Sequence, residues 1–406
     1  MYKEAFPLKY WVGYLTAAIL AGISWVLMQF GEKFSTIVDM VYPYVDRTLQ
    51  DMLAQWSGGV DFCLWQMIAM ALVVVVIASI VVMIVCKWNP IRWFGWVLAG
   101  AAFLFMCHTL VWGLNYYAGS IADDIRLEER QYGVEELTKA ATYYRDKAND
   151  LASQVNRDSN GQVDFADFDT LAAQAADGFD SLVYESSYSV FAGSNLPVKK
   201  LGWADMYSSM GITGVTMGLT GEAAVNPQIP DVTLPFTICH EMAHRKCIAV
   251  ERDANFAGFL ACAANESLEY QYSGYFMAYR YCYNALIRAN TSETIAAAAR
   301  LSTGVSELLD RDLKNYDAFF ASKRSDSATN LANNVNDTYL KASGDEAGVA
   351  SYGEVSDLLV WWHYQQVILP NITVEESHFD PMDEEQVDLS GIVNAKETEP
   401  VEEGVG

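Results

Sequence analysis

The sequence predicts a mainly helical α+β protein: three N-terminal transmembrane helices followed by a soluble domain with a small sheet. Long uncharged apolar runs are confined to the first 117 residues, and helical periodicity dominates after residue 121. Between them in character is the stretch 187–232, rich in Gly, Thr, Val and Met, which reads as short strands broken by turns.

Residues 10–30, 62–86 and 93–117 contain no Asp, Glu, Lys or Arg, and each reaches the roughly 20 residues a helix needs to cross a bilayer. The first is expected to be a retained anchor. Its apolar stretch is long for a signal peptide, and no clear small-x-small cleavage site follows it. Lys3 and Lys9 precede the first run, and Lys87 and Arg92 lie between the second and third with no acid beside them. The first loop instead carries Asp39, Asp46, Asp51 and Asp61 beside Lys33 and Arg47. By the bias of basic residues to the cytoplasmic side, the N-terminus is cytoplasmic and everything after residue 117 is outside. His108, in the third run, has no acidic partner in any run and reads as a hydrogen-bonding histidine rather than part of a proton path.

Residues 1–120 thus form a membrane region, 121–373 an extracellular domain, and 374–406 an acidic, proline-containing tail expected to be disordered, with His378 in it. From 121 to 155 the chain is charged and helix-forming, with Val134, Leu137, Ala140 and Ala141 at helical intervals. Residues Asn156 to Asp167 then place oxygen side chains and Gly161 as an EF-hand calcium loop does, with Asn156 for the usual first Asp and Asp167 for the usual last Glu. A polar turn between two helices explains the same residues. The formal net charge of −25 excludes nucleic acid as a natural partner. Cys239, Cys247, Cys262 and Cys282 fall outside the apolar runs, and the settings of Cys239 and Cys262 suit buried thiols better than a disulfide framework.

The chemistry centres on His240-Glu241-Met242-Ala243-His244, an HExxH pattern that uses two of only five histidines. On a helix, His240 and His244 share one face a turn apart, so both imidazoles reach one zinc ion while Glu241 stands beside the attacking water. The run into the motif is nearly apolar and opens with Pro235 and Thr237, so the histidines are expected to be partly buried and to need partners. Catalytic zinc takes a third protein ligand. Glu251, in what reads as the first turn of a second helix, is the first choice, ahead of Asp253, Glu269 and His363. Ala254, Gly258 and Ala261 would let that helix pack closely on the first. The strand just before the motif offers an edge with which an extended peptide could pair. In the tyrosine-rich run 270–280, Tyr272 or Tyr275 is a candidate to stabilise an oxyanion, although aromatics at helical spacing are usually core.

Several separated motifs resemble, in order, those of a bacterial multi-pass membrane family of unknown function, the domain of unknown function 3810 type, with an HExxH zinc peptidase motif. They are Trp112-Gly113-Leu114-Asn115-Tyr116-Tyr117, residues 220–226, 234–244 and 251–256, Tyr272-Ser273-Gly274-Tyr275, and residues 352–359. Glu251-Arg252-Asp253-Ala254-Asn255 is also similar to the Glu-x-x-Ala-Asp/Asn segment from which gluzincin peptidases take a glutamate ligand, which implies that role for Glu251. The six residues between His244 and Glu251 are nearer the interval of metzincins, whose turn carries a glycine absent here.

These readings converge on a membrane-anchored zinc metallopeptidase with a zincin-like outer domain at the bacterial cytoplasmic membrane, its partners a peptide or protein substrate and the lipid bilayer. His240, His244 and Glu251 would hold Zn2+, Glu241 would take a proton from water, and Tyr272 would assist. The alternative is a non-catalytic membrane protein with a structural zinc site closed by Cys247 or Asp253, or a ligand-sensing outer domain that binds calcium.

Overall fold

The computed structural model of the protein describes residues 8–343 and 355–371. Lys3, residues 352–354 and the expected tail 374–406 with His378 lie outside the described residues. Helix α1 (Val12–Lys33) leads into α2 (Ser35–Ser57), then α3 (Leu64–Val85) and α4 (Pro90–Val111). Among the described residues α1, α3 and α4 are long and apolar enough to cross a membrane. Pro90 starts α4 and the Asn89 side chain accepts Arg92 N–H, a helix start built from local chemistry. α1 and α4 run in the same direction, with Gly13 against Gly95 and Gly31 against Tyr117. A Cβ at Gly13 would overlap the Gly95 backbone, so this crossing requires glycine.

Two boundaries differ from expectation. The helix of the third span ends at Val111 rather than at residue 117, and Gly113–Tyr117 turn away in a 3-10 turn with Leu114, Asn115 and Tyr116 buried. The link between the first two spans is not a loop but α2, with its polar side turned into the protein.

Beyond the spans come α5 (Ile121–Asp124), α6 (Val134–Ala152), α7 (Phe168–Tyr184), β1 (Lys199–Lys200), α8 (Ala204–Met210), β2 (Gly214–Met217) and β3 (Glu222–Val225). They are followed by α9 (Leu234–Arg245), α10 (Glu251–Ala264), α11 (Leu268–Ala289), α12 (Ser292–Ser302), α13 (Glu307–Lys323), α14 (Asp326–Ser343) and α15 (Val355–His363). The sheet order is β1-β3-β2, with β1 parallel to β3 and β2 antiparallel, Gly214 opposite Val225 and Met217 opposite Glu222. β2 is therefore an edge strand. The protein is mainly helical α+β: α9 lies against the β2–β3 hairpin, α7, α10 and α11 pack on α9, and α6 and α15 pack in turn on α11. Ile238, Met242, Phe256, Phe259 and Phe276 are buried in that core, each contributing about 1.5–3 kcal/mol by leaving water. Cys239, Cys247, Cys262 and Cys282 are buried free thiols.

The sheet is tied to the membrane helices by charge. Glu222 accepts the N–H groups of Leu64 and Trp65 at 2.7 and 2.8 Å, capping the positive end of α3, and pairs with Lys199 at 2.7 Å.

In the 156–167 segment, two of the acids placed as in a calcium loop serve the turn itself. Asp158 Oδ1 accepts the amides of Asn160 and Gln162, and Asp167 caps α7 by accepting from Asp169 and Thr170. It is a polar turn with Gly161 at φ 76°. Arg157 anchors it, donating to both Asp312 oxygens at 3.0 and 2.7 Å, while the buried Tyr272 hydroxyl donates to Asp312 Oδ2 at 2.5 Å. Asp312→Ala would strand both partners. We expect a loss of about 3–5 kcal/mol, read as a fall of roughly 10 °C in the unfolding midpoint of the detergent-solubilised protein; an unchanged midpoint would show that this network is not structural.

Candidate metal centre

The apolar face of α9 and the small residues of α10 set the geometry. Gly258 lies where a Cβ would come 3.3 Å from the His240 amide nitrogen, so α10 sits directly on the motif helix. Between the helices the chain reverses within six residues at Cys247, whose φ of 72° falls where glycine is usual. Cys247 N–H donates to His244 O at 2.8 Å and Ile248 N–H to Ala243 O at 3.3 Å, closing the helix end. The reversal brings the first residue of α10, Glu251, back to the two histidines.

The three side chains form one group. His240 Nε2 and His244 Nε2 are 3.1 Å apart, and each lies 3.4 Å from Glu251 Oε2. Ligands about 2.0–2.1 Å from a tetrahedral ion are about 3.3–3.4 Å from one another, so this triangle fits a zinc-sized cation. The donor set fits too. His244 Nδ1 is 2.8 Å from Ile248 O; a carbonyl only accepts, so Nδ1 carries the proton and Nε2 presents a lone pair. Facing it, Glu251 Oε2 is buried without a hydrogen-bond donor among the described residues. Burial disfavours charge on His244, yet the Glu251 carboxylate outweighs it and raises the imidazole to about 9. Burial likewise opposes charge on Glu251, but the two histidines hold its carboxyl far below the ordinary range. Both shifts report a site that favours added positive charge.

Glu241 stands beside this group rather than in it. Burial raises its carboxyl above the ordinary range, although both histidines and Thr216 oppose the rise. Its position is set by β2: Thr216 Oγ1 lies 2.7 Å from Glu241 Oε2, and a Cβ at Gly214 would overlap the carboxylate. Two rings wall the histidines, Phe236 stacked on His240 and Trp112 edge-on to His244 at 6.4 Å.

The other candidates are not brought to the group. Asp253 accepts from Ile121 N–H at 3.0 Å and Ser120 Oγ at 3.1 Å, tying down α5. Glu269 accepts from Ala166 N–H, His363 packs on Tyr143, and Cys247 Sγ lies 3.5 Å from Asp46 Oδ2. Tyr272, the expected oxyanion tyrosine, is occupied by Asp312, and Tyr275 packs among Tyr143, Tyr144 and Phe259. Gly214, Thr216 and Trp112 were not singled out as site residues from the sequence. Trp112 had a signal, as the first residue of a quoted motif; Gly214 and Thr216 had none beyond a β-rich stretch.

Two outcomes follow from the geometry. The purified full-length protein should bind one zinc per chain, and Glu251→Ala should weaken binding by more than the roughly 10–100-fold that loss of a ligand's hydrogen-bond partner costs, measured by competition with a chromogenic chelator. Gly214→Ala should keep the metal while displacing Glu241; zinc binding unaffected by Glu251→Ala would contradict this ligand set.

No curated protein and no solved structure matches the chain. A family model does, over residues 39–360, a span that takes in most of α2, the last two spanning helices, the sheet and the His–His–Glu group. The chain therefore belongs to the family described as Protein of unknown function (DUF3810).

Proposed function

We propose that the protein is a membrane-anchored zinc-dependent peptidase, acting on peptide bonds outside the cytoplasm. The observation that carries this is the triangle of three convergent acceptors with a second carboxylate, Glu241, beside it and outside it. A structural zinc site needs four protein ligands, whereas three leave one position open for chemistry; among the described residues the group has three. Zinc held there would supply Lewis acidity to a peptide carbonyl and acidity to water.

The chain's own residues divide the remaining work. Glu241, buried and oriented by Thr216, takes a proton from the attacking water and can pass it to the departing amine. His244, with its Nδ1 proton committed to Ile248 O, keeps its tautomer and its aim. Trp112 and Phe236 exclude water from the histidine side. Among the described residues β2 leaves one edge unpaired next to Glu241, and an extended substrate can add to that edge by main-chain hydrogen bonds. The short basic link at Lys87 and Arg92, together with the parallel run of α1 and α4, supports an N-terminus inside and the metal group outside.

Glu241→Gln preserves shape and removes the base. It should retain zinc and lower hydrolysis of a mixed peptide library by about 10²–10⁴-fold, followed by mass spectrometry of the products. Full activity in Glu241→Gln would overturn the mechanism, and zinc binding without any hydrolysis by the wild type would favour a structural site.

A further inference from the structure

Helix α2 is inverted. Its inward face is polar, with Asp46 2% and Gln50 0% exposed, while Met40 is 69%, Val45 63% and Met52 65% exposed. A helix on a water-facing surface shows the opposite arrangement. The polar face is bonded inward: Asp46 Oδ2 accepts from Asn115 Nδ2 at 2.6 Å, Arg47 donates to Ser189 O at 3.2 Å, and Gln50 Nε2 donates to Val111 O and Gly218 O at 3.0 and 3.1 Å, while Asp46 Oδ1 and Gln50 Oε1 have no partner among the described residues. On the far side, Met40, Val41, Tyr44, Val45, Met52 and Trp56 form an exposed, mostly apolar stripe along the helix, with Thr48 and Gln55 the polar residues in it.

Continuity with the spans says what covers the stripe. Only Phe34 separates α1 from α2, residues 58–63 link α2 to α3, and Phe34 and Phe62 are themselves exposed at the two junctions. Yet α2 does not run alongside the spans. Tyr42 Oη and Gln50 Nε2 donate to the consecutive carbonyls Leu110 O and Val111 O, at 2.8 and 3.0 Å. Those two donors come from positions about 12 Å apart along the α2 axis, so the helix lies across the end of α4. A helix across the end of a span, polar inward and apolar outward, has the character of one in the membrane interface.

We propose that α2 lies in the headgroup region with its apolar stripe in lipid, and that the metal centre directly above it acts on the juxtamembrane stretch of a membrane-anchored polypeptide. The second half rests on the peptidase reading. Trp112, packed on His244, is the first residue beyond α4. The hairpin stands on α2, since Gly218 O accepts from Gln50, and Gly214 beside Glu241 lies four positions up the strand, about 13 Å away. A chain added to the open edge of β2 therefore has the bilayer within reach of its reacting bond.

The first test needs no activity. Full-length protein, with Cys86 and Cys107 changed to Ser, is spin-labelled at Val45→Cys or Met52→Cys in phosphatidylcholine–phosphatidylglycerol vesicles. Oxygen should relax both labels more than a water-soluble nickel chelate, and the reverse should hold at Glu135→Cys, exposed on α6; nickel dominance at 45 and 52 overturns the placement of α2. The second test joins a mixed peptide library to a single spanning helix by spacers of about 5 or about 20 residues, roughly 17 or 66 Å. The short-spacer form should be cut as well as the long one. Cleavage of only the long-spacer form overturns the juxtamembrane assignment and leaves a peptidase, whereas no cleavage of either form by zinc-loaded protein overturns the peptidase reading and this substrate class together.

Discussion

Glu251 has to return to two histidines within six residues, and much of the structure serves that return. The reversal demands a residue in the left-handed region, and Cys247 takes it at a cost of about 1–2 kcal/mol. It demands that α10 approach α9 without a side chain between them, which Gly258 permits. It also demands an apolar environment that keeps water from the three acceptors, supplied by Phe236, Trp112 and the core beneath them. The result is a small region of three lone-pair donors, two of them on a helix end, where added positive charge is the missing partner.

The position of this group relative to the spans is fixed by hydrogen bonds. Glu222 caps α3 and pairs with Lys199; Gln50 joins the last carbonyl of α4 to the hairpin turn; Asn115, just past α4, donates to Asp46. These bonds join α3 and the end of α4 to the sheet and to α2, so the elements after residue 121 share one frame with the apolar helices. A His–His–Glu group held this way cannot drift from the apolar helices as one on a flexible stalk could. Rigidity here comes from buried polar contacts, each expensive to break when one partner is removed.

The metal group was legible because its information is local: His240 and His244 are one helical turn apart, and Glu251 opens the next helix. The three spans were legible from composition alone. What failed was non-local. Tyr272 belongs to a tyrosine-rich helix, and which tyrosine meets an acid depends on α13, forty positions on, where Asp312 waits. α2 was hidden because the sequence shows which residues are polar, not which way they face: its acids read as a solvated loop until Asn115 and Ser189 are seen against Asp46 and Arg47. Gly214 and Thr216 are invisible for the same reason, since only the packing of β2 on α9 gives them Glu241 as a neighbour.

The central claim is that His240, His244 and Glu251 hold zinc in a site with no sulfur. X-ray absorption at the zinc edge of the full-length protein tests it most directly. Nitrogen and oxygen neighbours at about 2.0–2.1 Å, with outer-shell scattering from two imidazoles, are the predicted result. A sulfur neighbour at about 2.3 Å, which only a cysteine such as Cys247 could supply, or scattering from a single imidazole, would contradict it.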